Sequence, residues 1–129
     1  MNQPPRADHI ALHVYDLQKS TAFYKDVMGF KQVPEPFKDN KHSWFDIGPG
    51  MRLHLIEGAT EIREYHLNTH LAFSVGVLQE FTNNLDQSNI RYRNLKGYSK
   101  EPHIRADGIK QVFFQDPDNY WIEVNDDVY

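Results

Sequence analysis

Two short segments of strictly alternating apolar and polar residues begin the two halves of the chain. The first runs from Asp8 to Val14 (DHIALHV) and the second from Thr69 to Val75 (THLAFSV). Their leading histidines are 70 − 9 = 61 residues apart. Alternation with a period of two is typical of half-buried strands. The chain is therefore predicted to contain two copies of one structural module.

A segment with helical periodicity follows each of these strands. Asp16 is placed to cap the first helix, and Gly29 and Asn89 are residue types that end helices in a left-handed conformation. Positions with helical spacing are Leu17, Thr21, Tyr24 and Met28 in the first copy and Leu78, Phe81 and Leu85 in the second. Each module is thus predicted to place one short amphipathic helix on its sheet.

Two further strands are predicted in each copy, over residues 44–47 and 52–56 and over residues 112–114 and 120–124. The turn sequences GPG at 48–50 and DPDN at 116–119 lie between them and predict antiparallel hairpins. Residues 96–109 form the longest polar stretch without a pattern and are predicted to be a loop that covers or contacts a substrate.

The repeat predicts the domain organisation. We expect one α+β domain over residues 1–129, with module one at 7–57 and module two at 66–126. A module of this size buries too little surface to be comfortably stable alone, so the two modules are expected to share a core or a cavity. A homodimer that covers the sheet edges is also expected.

Four side chains able to bind a metal ion occupy equivalent places in the two copies. The strand period puts His9 and His70 opposite the apolar rows, and it puts His54 and Glu123 on the same face of the closing strands. Two imidazoles and one carboxylate leave open positions on a divalent ion such as Zn, Ni, Fe, Mn or Co, and open positions indicate catalysis. His54 is a candidate fourth ligand.

Composition narrows the alternatives. The 129 residues include no Cys, which excludes disulfides, iron–sulfur sites and a thiol nucleophile. A net charge of −4 with scattered basic residues argues against a nucleic-acid partner. The chain also lacks the long apolar run of a membrane span and opens without a signal-peptide pattern, so a cytoplasmic protein with no membrane partner is expected.

At these residues the chain resembles the vicinal oxygen chelate superfamily, which includes glyoxalase I, fosfomycin thiol transferases, extradiol dioxygenases and the bleomycin-binding proteins. It is most similar to the small glyoxalase I-like (lactoylglutathione lyase-like) members. The resemblance is carried by HIALHV from His9, by the segment from Asp16 to Phe30, by HLAF from His70 and by FFQDPDNYWIE ending at Glu123.

The resemblance implies two paired βαβββ modules that form an incomplete barrel around a divalent ion, to which a small-molecule substrate binds through neighbouring oxygens. His9, His70 and Glu123 match the ligands common to the metal-binding members. The position of His54 is usually a Glu in glyoxalase I, which is a departure from that enzyme's pattern.

The predicted reaction is that of a metal-dependent lyase or isomerase of the glyoxalase I-like group. It would proceed through an enediolate with Glu123 as the base. His13, on the same face as His9, is a candidate proton acceptor or a partner of a metal ligand.

Two other functions stay open at this point. One is a metal-free protein of the bleomycin-resistance type that sequesters a small molecule, and the other is a small extradiol-type dioxygenase. In the predicted lyase or isomerase, the candidates to bind an anionic substrate tail such as a glutathione carboxylate are Arg52, Lys100, Arg105 and Lys110.

Overall fold

The computed structural model describes residues 3–128, which form two compact units divided between Ile62 and Arg63. Each unit contains a four-stranded mixed sheet and one helical segment, so the fold class is α+β. Each module predicted from the repeat lies inside one unit.

The first unit begins with strand β1 (His9–Val14), followed by helix α1 (Leu17–Ala22), which continues into a π-helical segment (Phe23–Val27). Three strands come next, β2 (Lys31–Val33), β3 (His42–Gly48) and β4 (Met51–Glu57). The strand order is β1-β4-β3-β2, with β1 parallel to β4 and the other pairs antiparallel.

The second unit repeats this arrangement with β5 (His70–Ser74), α2 (Leu78–Gln87), β6 (His103–Ile104), β7 (Lys110–Gln115) and β8 (Trp121–Asn125). Its order is β5-β8-β7-β6, with β5 parallel to β8. The predicted hairpins are confirmed, because β3 pairs with β4 and β7 with β8 in antiparallel fashion.

The alternation along β1 separates a buried face from an exposed one. Leu12 and Val14 are buried, whereas His9, Ala11 and His13 are exposed. The helical segments cover the apolar faces, since the ring centroids of Tyr24 and Phe45 lie 6.3 Å apart and those of Phe81 and Phe114 lie 5.8 Å apart. The polar face of each sheet is therefore the one that carries the candidate ligands.

The predicted helix ends are confirmed. Asp16 caps α1 by accepting a hydrogen bond from the backbone N–H of Lys19 at 3.1 Å. Gly29 and Asn89 adopt φ values of +73° and +57°, the left-handed conformation that ends a helix.

The first helix differs from a regular α-helix over Phe23–Val27, where it widens into a π-turn. The amide of Met28 bonds to the carbonyl of Phe23 at 3.2 Å, five residues back. The wider turn accommodates two adjacent aromatic side chains, Phe23 and Tyr24, that are both buried.

The loop predicted over residues 96–109 contains more pairing than expected. Strand β6 lies within it, and Arg93 forms an antiparallel bridge with Tyr98. Strands β2 and β6 have three and two residues, which is too short for alternation to be visible in the sequence.

Helix α2 has ten residues, and none of the helices within residues 3–128 has the length and apolar character of a membrane span.

The left-handed turn at Gly29 provides a test of the fold. We expect Gly29→Ala to lower the free energy of unfolding by about 1 kcal/mol, because an L-residue is strained at this φ. A Cβ at Gly29 would meet nothing within 4 Å, so the expected cost is conformational rather than steric. Urea denaturation followed by circular dichroism measures it.

Gly76 is the matched control, since a Cβ there also meets nothing within 4 Å and its φ lies outside the left-handed region. Gly76→Ala should change the free energy of unfolding by less than about 0.5 kcal/mol. Equal effects of the two substitutions would contradict the assignment of Gly29 as the helix-ending residue.

Candidate metal-binding site

The second unit brings His70 and Glu123 together on the polar face of its sheet. His70 is the register partner of Trp121, and Glu123 is the partner of Ala72, so the two side chains lie diagonally across the parallel β5–β8 pair. Nε2 of His70 lies 3.3 Å from Oε1 of Glu123. Glu123 is 5% exposed, so its carboxylate is almost entirely removed from water.

Hydrogen bonds fix the far side of both groups. Nδ1 of His70 lies 2.8 Å from the carbonyl oxygen of Leu67. A carbonyl only accepts, so Nδ1 carries the hydrogen and donates it. The amide of Asn125 donates to Oε2 of Glu123 at 2.6 Å. These two bonds leave Nε2 of His70 and Oε1 of Glu123 as the atoms that face each other.

This arrangement suits a cation. When the His70 ring is neutral, the hydrogen on Nδ1 leaves a lone pair on Nε2, and a carboxylate oxygen offers only lone pairs. Two electron-pair donors 3.3 Å apart, one of them on a buried carboxylate, repel each other unless a proton or a metal ion lies between them. A histidine whose other ring nitrogen bonds to a backbone carbonyl has the form commonly found in metal ligands.

Aromatic side chains surround the second pair. The edge of Phe113 meets the His70 ring with centroids 5.7 Å apart. Trp121 is buried, and its indole N–H donates to the carbonyl of Tyr65 at 2.8 Å. The Glu123 side chain is therefore shielded from water, whereas the His70 side chain is still 25% exposed.

The first unit holds His9 and His54 in the equivalent register. His54 is the partner of Ala11, as Glu123 is of Ala72, and His9 is the partner of Arg52. Nδ1 of His9 lies 2.7 Å from Oδ2 of Asp8, which leaves Nε2 as the nitrogen able to bind a metal. The hydrogen bond from His9 lowers the pKa of the Asp8 carboxyl below its usual range.

His54 is held in a stack of three rings. One face lies on Trp44, with centroids 3.9 Å apart and planes 3° from parallel, and the other lies on His9, at 4.1 Å and 16°. Burial, followed by the nearby His9 ring, lowers the pKa of His54 below 6.5. The neutral ring that can bind a metal is thus favoured at neutral pH.

The stack also limits what His54 can bind. The lone pair of an imidazole nitrogen lies in the ring plane, and the planes of His9 and His54 are nearly parallel. A single ion cannot lie in both planes while the rings stay stacked. For His54 to act as a ligand beside His9, one of the two rings would have to turn.

Other histidines lie further from these pairs along the sheet. His13 is the register partner of Ile56, and its Nε2 lies 3.0 Å from the position a Cβ on Gly58 would occupy. His42 lies in β3, where its ring stacks on Phe37 and its Nδ1 lies 2.9 Å from Oδ1 of Asp39.

Of the four cations proposed for an anionic substrate, Arg52 lies beside the first pair, as the register partner of His9. Arg105 is held by Asp107 at 2.6 Å, which lowers the pKa of Asp107 to about 2, and Lys100 pairs with Asp86 at 3.3 Å. Lys110 lies in β7 of the second unit and is exposed.

The sequence alone gave no functional role to three residues that contact the pairs, Asp8, Trp44 and Asn125. Trp44 could have been found from the strand period, because it is the register partner of His54.

Among residues 3–128, no group of three or more His, Asp or Glu side chains is arranged so that it could hold a metal ion. The first pair, His9 and His54, and the second pair, His70 and Glu123, are the two arrangements that correspond to the predicted ligands.

Comparisons with known proteins agree on one superfamily. A profile of the Glyoxalase/Bleomycin resistance protein/Dioxygenase superfamily matches residues 6–124. A lactoylglutathione lyase of Schizosaccharomyces pombe is 28% identical over 92% of this chain, which spans 46% of that enzyme's length. A metallothiol transferase FosB of Lysinibacillus sphaericus is 28% identical over 90% of the chain and 78% of its own length.

Solved structures share the fold. A fosfomycin resistance protein, FosX, of Listeria monocytogenes has a TM-score of 0.77 at 23% identity and covers 98% of this chain and 94% of its own. A glyoxalase family protein from Bacillus anthracis has a TM-score of 0.76 at 22% identity and covers 99% of both chains. The two-unit α+β architecture is therefore that of the glyoxalase-like fold.

The ring stack predicts how His54 titrates in the metal-free protein. Its pKa should lie below 6.5, and Trp44→Ala should raise it toward that value by exposing the ring. Because the pKa of His54 is lower in the folded protein than in the unfolded chain, the unfolded chain binds the proton more tightly. The free energy of unfolding is therefore highest above pH 6.5 and decreases as the pH falls through the folded-state pKa. NMR of the imidazole C–H signals measures the titration.

Phe37→Ala is the control for this titration, because Phe37 stacks on His42 and meets Trp44 only edge-on at 6.3 Å. It should leave the His54 pKa unchanged. A His54 pKa that does not respond to Trp44→Ala would show that the stack is not what buries the ring.

Proposed function

Because the chain belongs to the Glyoxalase/Bleomycin resistance protein/Dioxygenase superfamily, we propose that it is a divalent-metal-dependent lyase or isomerase of the glyoxalase I-like group. Its metal ligands are His9 from the first pair and His70 and Glu123 from the second. The observation that carries the proposal is the 3.3 Å approach of Nε2 of His70 to Oε1 of the buried Glu123 carboxylate, an arrangement that suits a cation.

The donor set fits such an ion. Nδ1 of His9 is bonded to Asp8 and Nδ1 of His70 to Leu67, so each ring presents Nε2. A divalent ion held by two imidazoles and a carboxylate would polarise two neighbouring substrate oxygens and acidify the C–H bond beside them.

Glu123 is the proposed base that moves this proton. Asn125 holds Oε2, so Oε1 is the oxygen that would accept and return a proton once substrate displaces it from the ion. Burial keeps water away from the carboxylate and favours return of the proton to the substrate. His13 stays a candidate proton acceptor, and a homodimer acting on a small molecule stays a prediction.

The relatives support membership of the superfamily, and their names belong to two different reaction classes. One bears the name of a lactoylglutathione lyase and another that of a metallothiol transferase. His9, His70 and Glu123 are the three ligands that the resemblance implies, and with them we propose a metal-dependent reaction on a small oxygenated substrate.

Glu123→Gln tests both roles of the carboxylate. We expect it to abolish stoichiometric uptake of divalent metal and to lower turnover about 100-fold or more, because an amide neither carries charge nor accepts a proton. Elemental analysis of protein purified without chelator and the methylglyoxal–glutathione hemithioacetal assay measure the two effects.

Glu101→Gln is the control, since Glu101 lies exposed in the segment before β6 and should affect neither readout. A wild-type protein that takes up no divalent ion, even on reconstitution, would contradict the proposal and favour a metal-free binding protein. Oxygen uptake with catechols by the Fe(II)-loaded protein, without hemithioacetal turnover, would favour a dioxygenase instead.

His54→Phe tests whether the ion takes three ligands or four. Phenylalanine preserves a flat ring between Trp44 and His9 but offers no nitrogen. We expect one ion per chain to be retained with an affinity within about threefold of wild type, because one ion cannot lie in both stacked ring planes. Competition with a chromophoric chelator measures the affinity.

His70→Phe is the matched variant in this measurement and should lose the ion. If His54→Phe weakens metal binding as strongly as His70→Phe does, His54 is a ligand and leaves the stack when the ion binds.

A further inference from the structure

A cleft of about 310 Å³ opens on the polar face of the first unit, next to His54. Its walls come from β3, β4 and the segment before β1, and they include Arg6, Trp44, Asp46, Arg52 and His54. The cleft thus borders the first pair and is formed entirely within one unit.

Two guanidinium groups in this cleft have hydrogen-bond donors to spare. Nε of Arg52 lies 3.6 Å from Oδ1 of Asp46, beyond hydrogen-bond length, and its guanidinium carbon lies 5.8 Å from the centre of the Trp44 ring. Arg6 donates to the carbonyl of Gly50 at 3.1 Å and approaches Asp8 only to 3.8 Å. Asp8 is already engaged by His9 at 2.7 Å.

These ion pairs are weak ones. The side chains of Arg52 and Asp46 are about half exposed, and those of Arg6 and Asp8 are 73% and 71% exposed. Exposed pairs without close geometry contribute little, so an incoming anion can displace them easily. An arginine presents a flat fork of donors that matches a carboxylate through two parallel hydrogen bonds.

The position of Arg52 relates this cleft to the proposed metal ligands. Arg52 is the register partner of His9 on β1 and lies two residues before His54 on β4, so all three side chains belong to the same face. An anion held by Arg52 would lie beside the Nε2-presenting ring of His9. The other wall is the Trp44 ring, which is packed against His54.

The charges of the cleft favour an anion with a single charge. Arg6 and Arg52 are balanced by Asp8 and Asp46, so the four side chains sum to zero. A carboxylate with one negative charge can replace Asp46 as the partner of Arg52, and the two aspartates repel it less strongly than they would a dianionic phosphate.

We propose that this cleft binds a carboxylate of the substrate, with Arg52 as the residue that selects it and Arg6 as a second donor. The substrate class is then a carboxylic acid that carries, apart from this carboxylate, the neighbouring oxygens that would bind the ion. This inference rests on the proposed function for the role of the bound molecule, although the binding of the carboxylate can be measured without metal.

Benzoate and its neutral isostere benzamide are suitable probes, used on the metal-free protein with all 129 residues present. We expect benzoate to bind and to perturb the NMR signals of the Arg52 side chain and the Trp44 indole, with benzamide at least about tenfold weaker. Arg52→Gln should weaken benzoate binding about tenfold, and Arg52→Lys should restore part of it. Raised salt should weaken binding, and inorganic phosphate should bind less tightly than benzoate.

Arg91→Gln is the control, because Arg91 lies over Tyr98 in the second unit, and it should leave benzoate binding unchanged. Equal affinity of Arg52→Gln and wild type, or of benzoate and benzamide, overturns the proposal. Tighter binding of phosphate than of benzoate overturns the assignment to carboxylates.

Metal content separates this inference from the proposed function. If wild type and Arg52→Gln both bind one divalent ion but benzoate binding does not depend on Arg52, the cleft assignment fails and the metal-dependent function stands. If neither takes up an ion but benzoate binding is lost in Arg52→Gln, the cleft stands as an anion site and the metal-dependent function fails.

Discussion

A buried carboxylate that faces an imidazole nitrogen is the interaction on which this account depends. Removing Glu123 from water costs free energy unless its charge is balanced, and the nearest group, Nε2 of His70, bears a lone pair when the ring is neutral. Leu67 and Asn125 hold the two groups in this arrangement by bonding to their far sides. A pair fixed in this way is suited to a cation, and for this reason we propose that it forms part of a metal site.

The parallel strand pairs explain how a repeated sequence gives two different half-sites. In both units the first strand carries His followed two residues later by Ala, and the closing strand lies beside it in the same register. The residue opposite Ala is His54 in one unit and Glu123 in the other. The residue opposite the leading His is Arg52 in one and Trp121 in the other. As a result, the first unit contains a charged cleft and the second contains a buried carboxylate.

Much of the fold follows from local patterns in the sequence. The alternation along β1 and β5 predicts which side chains share a face. Asp16 caps the start of α1 through a hydrogen bond, and Gly29 and Asn89 terminate the two helical segments through their left-handed backbone conformation. Strands β2 and β6 are too short to show a period, and the π-turn depends on packing of Phe23 and Tyr24 that no local pattern records. The two short strands and the π-turn are therefore determined by the elements they pack against rather than by their own sequences.

The candidate site also has features that the sequence predicts and features that it does not. His9, His54, His70 and Glu123 are recognisable because residue type, repeat and strand period coincide. The stacking of Trp44 on His54 depends on side-chain rotamers across two strands, and the support of Glu123 by Asn125 depends on the rotamers of side chains two residues apart. The sequence therefore predicts which residues could bind an ion, whereas only the structure indicates that His54 is held in a stack.

X-ray absorption spectroscopy of the protein loaded with one equivalent of zinc tests the central claim most directly. We predict that two imidazole nitrogens and a shell of oxygen ligands lie about 2.0–2.2 Å from the zinc ion. A spectrum with oxygen ligands alone, or with a single imidazole, would show that His9 and His70 do not bind the same ion and would contradict the account.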